Sequence, residues 1–138
     1  MLIRLVLPFF GLLLVCTGHG APAQPAYNTV QDLYDECKND LNDLHTTEDY
    51  FHWGSCIRYL TGIAHVQMTI GAMLRDPKSN VSGAGRATVK EFAICDASFS
   101  GGSLRQVFLN WAEANPKMWS EPDGVGVMLA FTQAWPCK

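Results

Sequence analysis

Between Thr47 and Leu74 the chain contains no proline, and Trp53, Cys56, Ile57, Leu60, Ile63, Ala64, Ile70 and Leu74 recur at steps of three and four. That spacing lays one apolar stripe along an α-helix, so a long central helix is expected here, buried on one side. Its other side reads Ser55, Arg58, Gly62, His65, Thr69 and Ala72, a row of small and polar residues. Gly62 in mid-helix costs about 1 kcal/mol relative to alanine, which predicts a close approach by another helix at that point. Cys56 lies on the buried stripe and can tie this helix to a second element.

The start of the chain reads as a targeting segment. Arg4 is its single charge, Leu5 to Val15 is strongly apolar, and Ala21-Pro22-Ala23 is a small-residue cleavage pattern, so residues 1–23 are expected to be a signal peptide. The apolar run is shorter than the roughly 20 residues that span a bilayer, which disfavours a retained anchor. Cys16 follows Leu13-Leu14-Val15, whereas a lipid-carrying cysteine usually follows a smaller residue than valine. Cleavage would leave residues 24–138 as one domain, and losing Arg4 leaves nine basic residues against 13 acidic ones, a balance of −4. Mild acidity with scattered cations argues against a nucleic-acid surface and against membrane attachment after cleavage.

Cys37, Cys56, Cys95 and Cys137 remain, an even number behind an export signal, which predicts two disulfides in an oxidising compartment such as a bacterial periplasm. Of the three pairings, Cys37 with Cys56 closes a helical hairpin, and Cys95 with Cys137 fastens the C-terminus to the middle of the chain. A closure of the second kind is worth about 3 to 4 kcal/mol on the chain-entropy model, which matters in a domain this small.

A first helix is expected from Thr29, its N-cap, to about Asp43, with Val30, Leu33, Tyr34, Cys37 and Leu41 on its apolar face. Thr46 or Thr47 caps the central helix, with Glu48 and Asp49 at its positive end. After Leu74 the run from Asp76 to Arg86, with Ser79, Asn80, Ser82, Gly83 and Gly85, reads as a long mobile loop, and Thr88 to Cys95 as a short strand or a helical turn. Ser103-Leu104-Arg105-Gln106 opens a helix over 104–114 that Asn115-Pro116 stops. Ser120-Glu121-Pro122-Asp123 opens another, which Gly124 and Gly126 weaken unless something packs against them, and which Pro136 ends. The fold expected is an all-α bundle of four or five helices.

Catalytic chemistry finds little support. His52 and Cys56 have metal-ligand spacing, but an oxidised cysteine is neither a ligand nor a nucleophile. Glu48-Asp49 and Asp35-Glu36 are ordinary solvated charges at helix starts and faces. No enzyme, no cofactor and no metal are therefore expected.

Read in order, a cysteine in the first helix, Cys56-x-x-Tyr59-x-x-Gly62, Cys95, a Gln106-containing helix ending at Pro116, and Trp135-Pro136-Cys137 resemble the Rap and Tai group of type VI secretion immunity proteins. The resemblance covers essentially the whole mature chain. It implies a periplasmic, disulfide-stapled helical protein, often a homodimer, that binds an effector amidase and blocks its attack on peptidoglycan. Ala97 stands where the group usually has proline, His65 where it often has an acid, and the Arg75 to Ile94 segment is longer. The other reading is an exported structural or envelope-stress protein with no toxin partner. Candidate partner contacts are Lys78, Ser79, Asn80 and Ser82 on the long loop. Trp119, lying between two helices, is a further candidate, although most tryptophans in so small a protein pack inside.

Overall fold

The computed structural model describes residues 27–95 and 97–138, so the expected signal peptide and Cys16 lie outside the described residues. Five α-helices form among them, α1 Val30–Cys37, α2 Thr47–Arg75, α3 Gly83–Lys90, α4 Gly101–Ala114 and α5 Asp123–Ala134, and the all-α expectation holds. Helices α1, α2, α4 and α5 pack on one another, and α3 lies against α2. The core they share centres on Leu33, Leu60, Leu104, Phe108, Val127 and Phe131.

Helix α2 spans 29 residues, about 43 Å at 1.5 Å per residue, with Thr46 capping it and Asp49 returning the bond. Cys56, Leu60 and Ala64 of the expected stripe are fully buried, and the buried line continues through Gln67 and Gly71. The opposite row is mostly exposed. A Cβ on Gly62 would meet nothing within 4 Å, so the close packing expected there is absent among the described residues. The glycine under that constraint is Gly71, whose added Cβ would fall on the Ile94 carbonyl oxygen and 3.2 Å from Cys95 Sγ.

Both disulfides pair as expected, Cys37 with Cys56 and Cys95 with Cys137. Thr29 caps α1 as read, but α1 ends at Cys37, well short of Asp43. Two local causes stop it. The Asp40 carboxylate accepts from Asn42 N–H and starts a separate turn at Leu41–Asp43. The Arg105 side chain, from α4, donates to the carbonyls of Cys37 (2.6 Å), Lys38 (3.0 Å) and Asn39 (3.0 Å), taking the oxygens a longer helix would have used.

Two further boundaries differ from expectation, at α3 and α4, while α5 falls where it is expected. Helix α3 occupies much of what reads as loop, because Ser82 caps it and Arg86 anchors it to the end of α2, offsetting the poor helix propensity of Gly83 and Gly85. Helix α4 begins at Gly101 and not at 104, since Ser100 and Ser103 form the capping box and Gly101 sits where a side chain would strike Ile57. Helix α5 starts with Pro122 at its N-cap, and Gly126 accommodates Val30 and Trp111, the packing that its composition demanded. After α3 the chain turns, and Ile94 makes an isolated antiparallel bridge with Pro136, with Cys95 N–H donating to Trp135 C=O at 3.2 Å.

Candidate functional site

The segment after α2 is a short anchored connector. Asp76 closes α2 through its own N–H to the Ala72 carbonyl, and its carboxylate accepts from Lys78 N–H at 2.8 Å, an Asx-type turn. Arg86 reaches back from α3, donating through Nη1 to the Leu74 carbonyl and through Nη2 to Ser79 Oγ at 3.1 Å. Ser82 Oγ accepts from Gly85 N–H as the cap of α3. Of the four expected contact residues, Ser79 and Ser82 are thus engaged in holding the connector, while Lys78 and Asn80 are exposed on it. The long glycine-containing loop reduces to residues 76–82.

Trp119 lies elsewhere, half-buried at the corner of α1 and α4. Its indole Nε1 donates to the Ala112 carbonyl at 2.8 Å, and its ring stacks on Tyr34 with centroids 5.3 Å apart. A buried indole N–H needs such a partner, and the arrangement fixes the ring as packing. The structure does not bring Trp119 together with the connector at Lys78.

The family-motif residues have separate structural duties. Cys56 is inside the core crosslink. The half-buried Tyr59 ring meets Tyr27 edge-on at 5.3 Å. Gln106 is exposed and donates to Asn110 Oδ1 at 2.8 Å. Pro116 opens a single 3-10 turn at Pro116–Met118. Trp135 packs on Phe131 and Phe99, and Pro136 forms the bridge with Ile94.

A polar cluster joins α1 to α2 beside the first disulfide. Glu36 accepts from Tyr27 Oη at 3.2 Å and sits 2.8 and 2.9 Å from His52 Nδ1. Burial, then the Glu36 charge, pushes the Tyr27 phenol far above its ordinary range. Burial also raises Tyr59, helped by a hydrogen bond to Asp123. The Glu36 hydrogen bond raises the His52 imidazole above its usual 6.5. These shifts keep both phenols protonated and favour the imidazolium, a pairing that secures two helices. It offers no nucleophile, because the neighbouring Cys56 is oxidised. Among the described residues no three His, Cys, Asp or Glu side chains gather as a metal would need.

Two adjoining clefts open where α3, the end of α2 and the C-terminal tail meet. One, of about 520 Å³, is lined by Arg75, Arg86, Lys90 and Lys138 together with Trp135. The other, of about 490 Å³, is lined by Trp111, Met118 and Leu129, with Glu91 its acidic residue. Lys90, Pro136 and Cys137 line both. Reading α3 as loop concealed this, since Arg86 and Lys90 stand four apart and share a face only on a helix.

Geometry thus defines a small, twice-crosslinked all-α bundle whose cysteines are committed to its own covalent frame. The sequence profile of the Rap1a immunity proteins matches residues 29–137, from the cap of α1 to the last crosslinked cysteine, and the chain belongs to that family. No curated protein and no solved structure matches it.

Proposed function

We propose that this chain is a periplasmic immunity protein that binds a peptidoglycan amidase delivered by type VI secretion and blocks its active site. The reading is supported chiefly by the family match, which spans every helix of the bundle. Residues 1–23 serve as the signal peptide and 24–138 as the immunity domain, with both disulfides formed after export. A rigid bundle suits inhibition, because a surface that is already ordered pays little entropy on binding. The exposed Lys78 and Asn80, held on a connector pinned by Arg86, supply the donors offered to the enzyme's catalytic groups. The test is purified chain against peptidoglycan amidases delivered by type VI secretion, scored for complex formation and for hydrolysis of cell-wall peptides. Stoichiometric inhibition is expected, weakened by Lys78→Glu together with Asn80→Ala. Absence of a complex, or a complex that leaves hydrolysis untouched, refutes the reading.

A further inference from the structure

The two disulfides differ in what can reach them. Cys37 and Cys56 are sealed in the core, at 1% and 0% exposure. Cys95 and Cys137 are both partly exposed, and both line the cleft of about 520 Å³ at the end of α2. Cys137 also lines the adjoining cleft of about 490 Å³, so it borders open space on two sides. Cys95 is covered on its α2 side, where its Sγ lies 3.2 Å from the place a Cβ on Gly71 would occupy.

Thiol–disulfide exchange needs a thiolate to reach one of the two sulfurs, so access decides which bridge reacts. A buried bridge reacts only after the structure around it opens, whereas one at the wall of a cleft reacts in the folded state. Arg86 and Lys90 line the same cleft as both cysteines. The Arg86 guanidinium donates to neutral oxygens, the Leu74 carbonyl and Ser79 Oγ, and so keeps its charge. Cations beside a sulfur favour the thiolate that arrives or leaves. The surroundings also hold the two cysteines together without the S–S bond. Ile94 bridges Pro136, Cys95 N–H donates to Trp135 C=O at 3.2 Å, and the Trp135 ring packs on Phe131 and Phe99.

We infer that Cys95–Cys137 is a thiol-exchange site, attacked at Cys137 by a dithiol reductant, that opens and closes while the helical bundle stays folded. The attacking thiolate forms a mixed disulfide with Cys137 Sγ as the bond to Cys95 breaks, and Cys95 leaves as a thiolate that takes a proton from water. The second thiolate of the reductant then attacks the reductant's own sulfur in the mixed disulfide and releases Cys137 in the same way. Two electrons have then passed from the dithiol to the bridge, and the reductant carries away a disulfide. Cys37–Cys56 meanwhile keeps α1 joined to α2. The site does not depend on the immunity reading, since it needs only a dithiol.

The probe is dithiothreitol, added without denaturant to the oxidised full chain, with samples alkylated over time and their peptides identified by mass spectrometry. Cys95 and Cys137 should be labelled at least roughly a hundredfold faster than Cys37 and Cys56, because the core bridge must wait for the structure to open. Low urea should leave the fast rate unchanged, and circular dichroism should show the helices retained. A glutathione pulse stopped with acid should leave its adduct on Cys137. Equal labelling of the two pairs, or a rate for Cys95 and Cys137 that climbs with urea as global unfolding does, shows that reduction passes through the unfolded chain and overturns the site. An adduct on Cys95 overturns the assigned point of attack. No amidase enters the experiment, so its failure leaves the toxin reading standing.

Discussion

The two crosslinks hold opposite ends of the molecule under different conditions. Cys37 and Cys56 are 1% and 0% exposed, wrapped by α1, α2 and the shared core. Cys95 and Cys137 are partly exposed and line the basic cleft, joining two segments that have little regular structure of their own. Their sequence separations are 19 and 42. On the chain-entropy model the closures contribute about 3 and about 4 kcal/mol, so the weaker closure sits where packing is already dense. The stronger joins two segments outside the helices, where the Ile94–Pro136 bridge and the Cys95 N–H to the Trp135 carbonyl hold the chain beside it. The longer closure thus joins the two segments with the least regular structure, next to the buried Ala93 and Ile94.

The contrast breaks most readily at its dense end. Phe108→Ala, in the fully buried core, should cost about 3 to 5 kcal/mol in urea unfolding and act on all four main helices together. Next comes the tail: Cys95→Ala with Cys137→Ala should lower stability by about 2 to 4 kcal/mol. Hydrogen exchange should rise first around residues 91–95 and 135–138 while α1 and α4 stay protected. If α1 and α4 lose protection equally, the two ends are one cooperative unit and the contrast fails.

Two glycines of α2 sharpen it further. Gly71→Ala drives a methyl into the Ile94 backbone and should cost about 1 to 3 kcal/mol. Gly62→Ala, with open space around it, should raise stability by about 0.5 to 1 kcal/mol through helix propensity alone. Thermal melts of both variants test the pair, and equal signs would contradict the packing described.

The smallest effect is electrostatic. His52 lies between Glu36 and Glu48, and its raised pKa means that folding favours the protonated ring. Its contribution is fully present below about pH 6.5 and is lost as pH rises through the higher folded-state value. Because the ring is partly exposed, the change is modest. His52→Gln should flatten the melting temperature in that window relative to the parent.

The long helix was legible because its stripe repeats over many turns, and burial at Cys56, Leu60 and Ala64 needs no knowledge of the partner helices. The cysteine pairing rests on different grounds, a preference among three for the one that closes the α1–α2 hairpin and fastens the C-terminus, and both pairs are found. Helix α3 was not legible, since its stability comes from Arg86 meeting a carbonyl on another helix, a contact invisible to local pattern. Gly62 and Gly71 show the same limit: both are mid-helix glycines, and only the path of the chain at Ile94 decides which one is required. Lys78 and Asn80 are exposed on the connector, which is shorter than its composition suggests because Ser82, a residue common in loops, here caps a helix. The basic cleft escaped notice for the corresponding reason, as its cations come from three separate segments.

Arg105 makes the end of α1 depend on a distant part of the chain. Helix α1 has eight residues, too few to persist alone in water, and its final carbonyls are bonded by a side chain 66 to 68 residues further along. The end of α1 is thus completed by a residue of α4 and not by its own neighbours. The shape of this short helix is therefore borrowed from the rest of the bundle, and a change at Arg105 in α4 would be felt at the far end of the sequence.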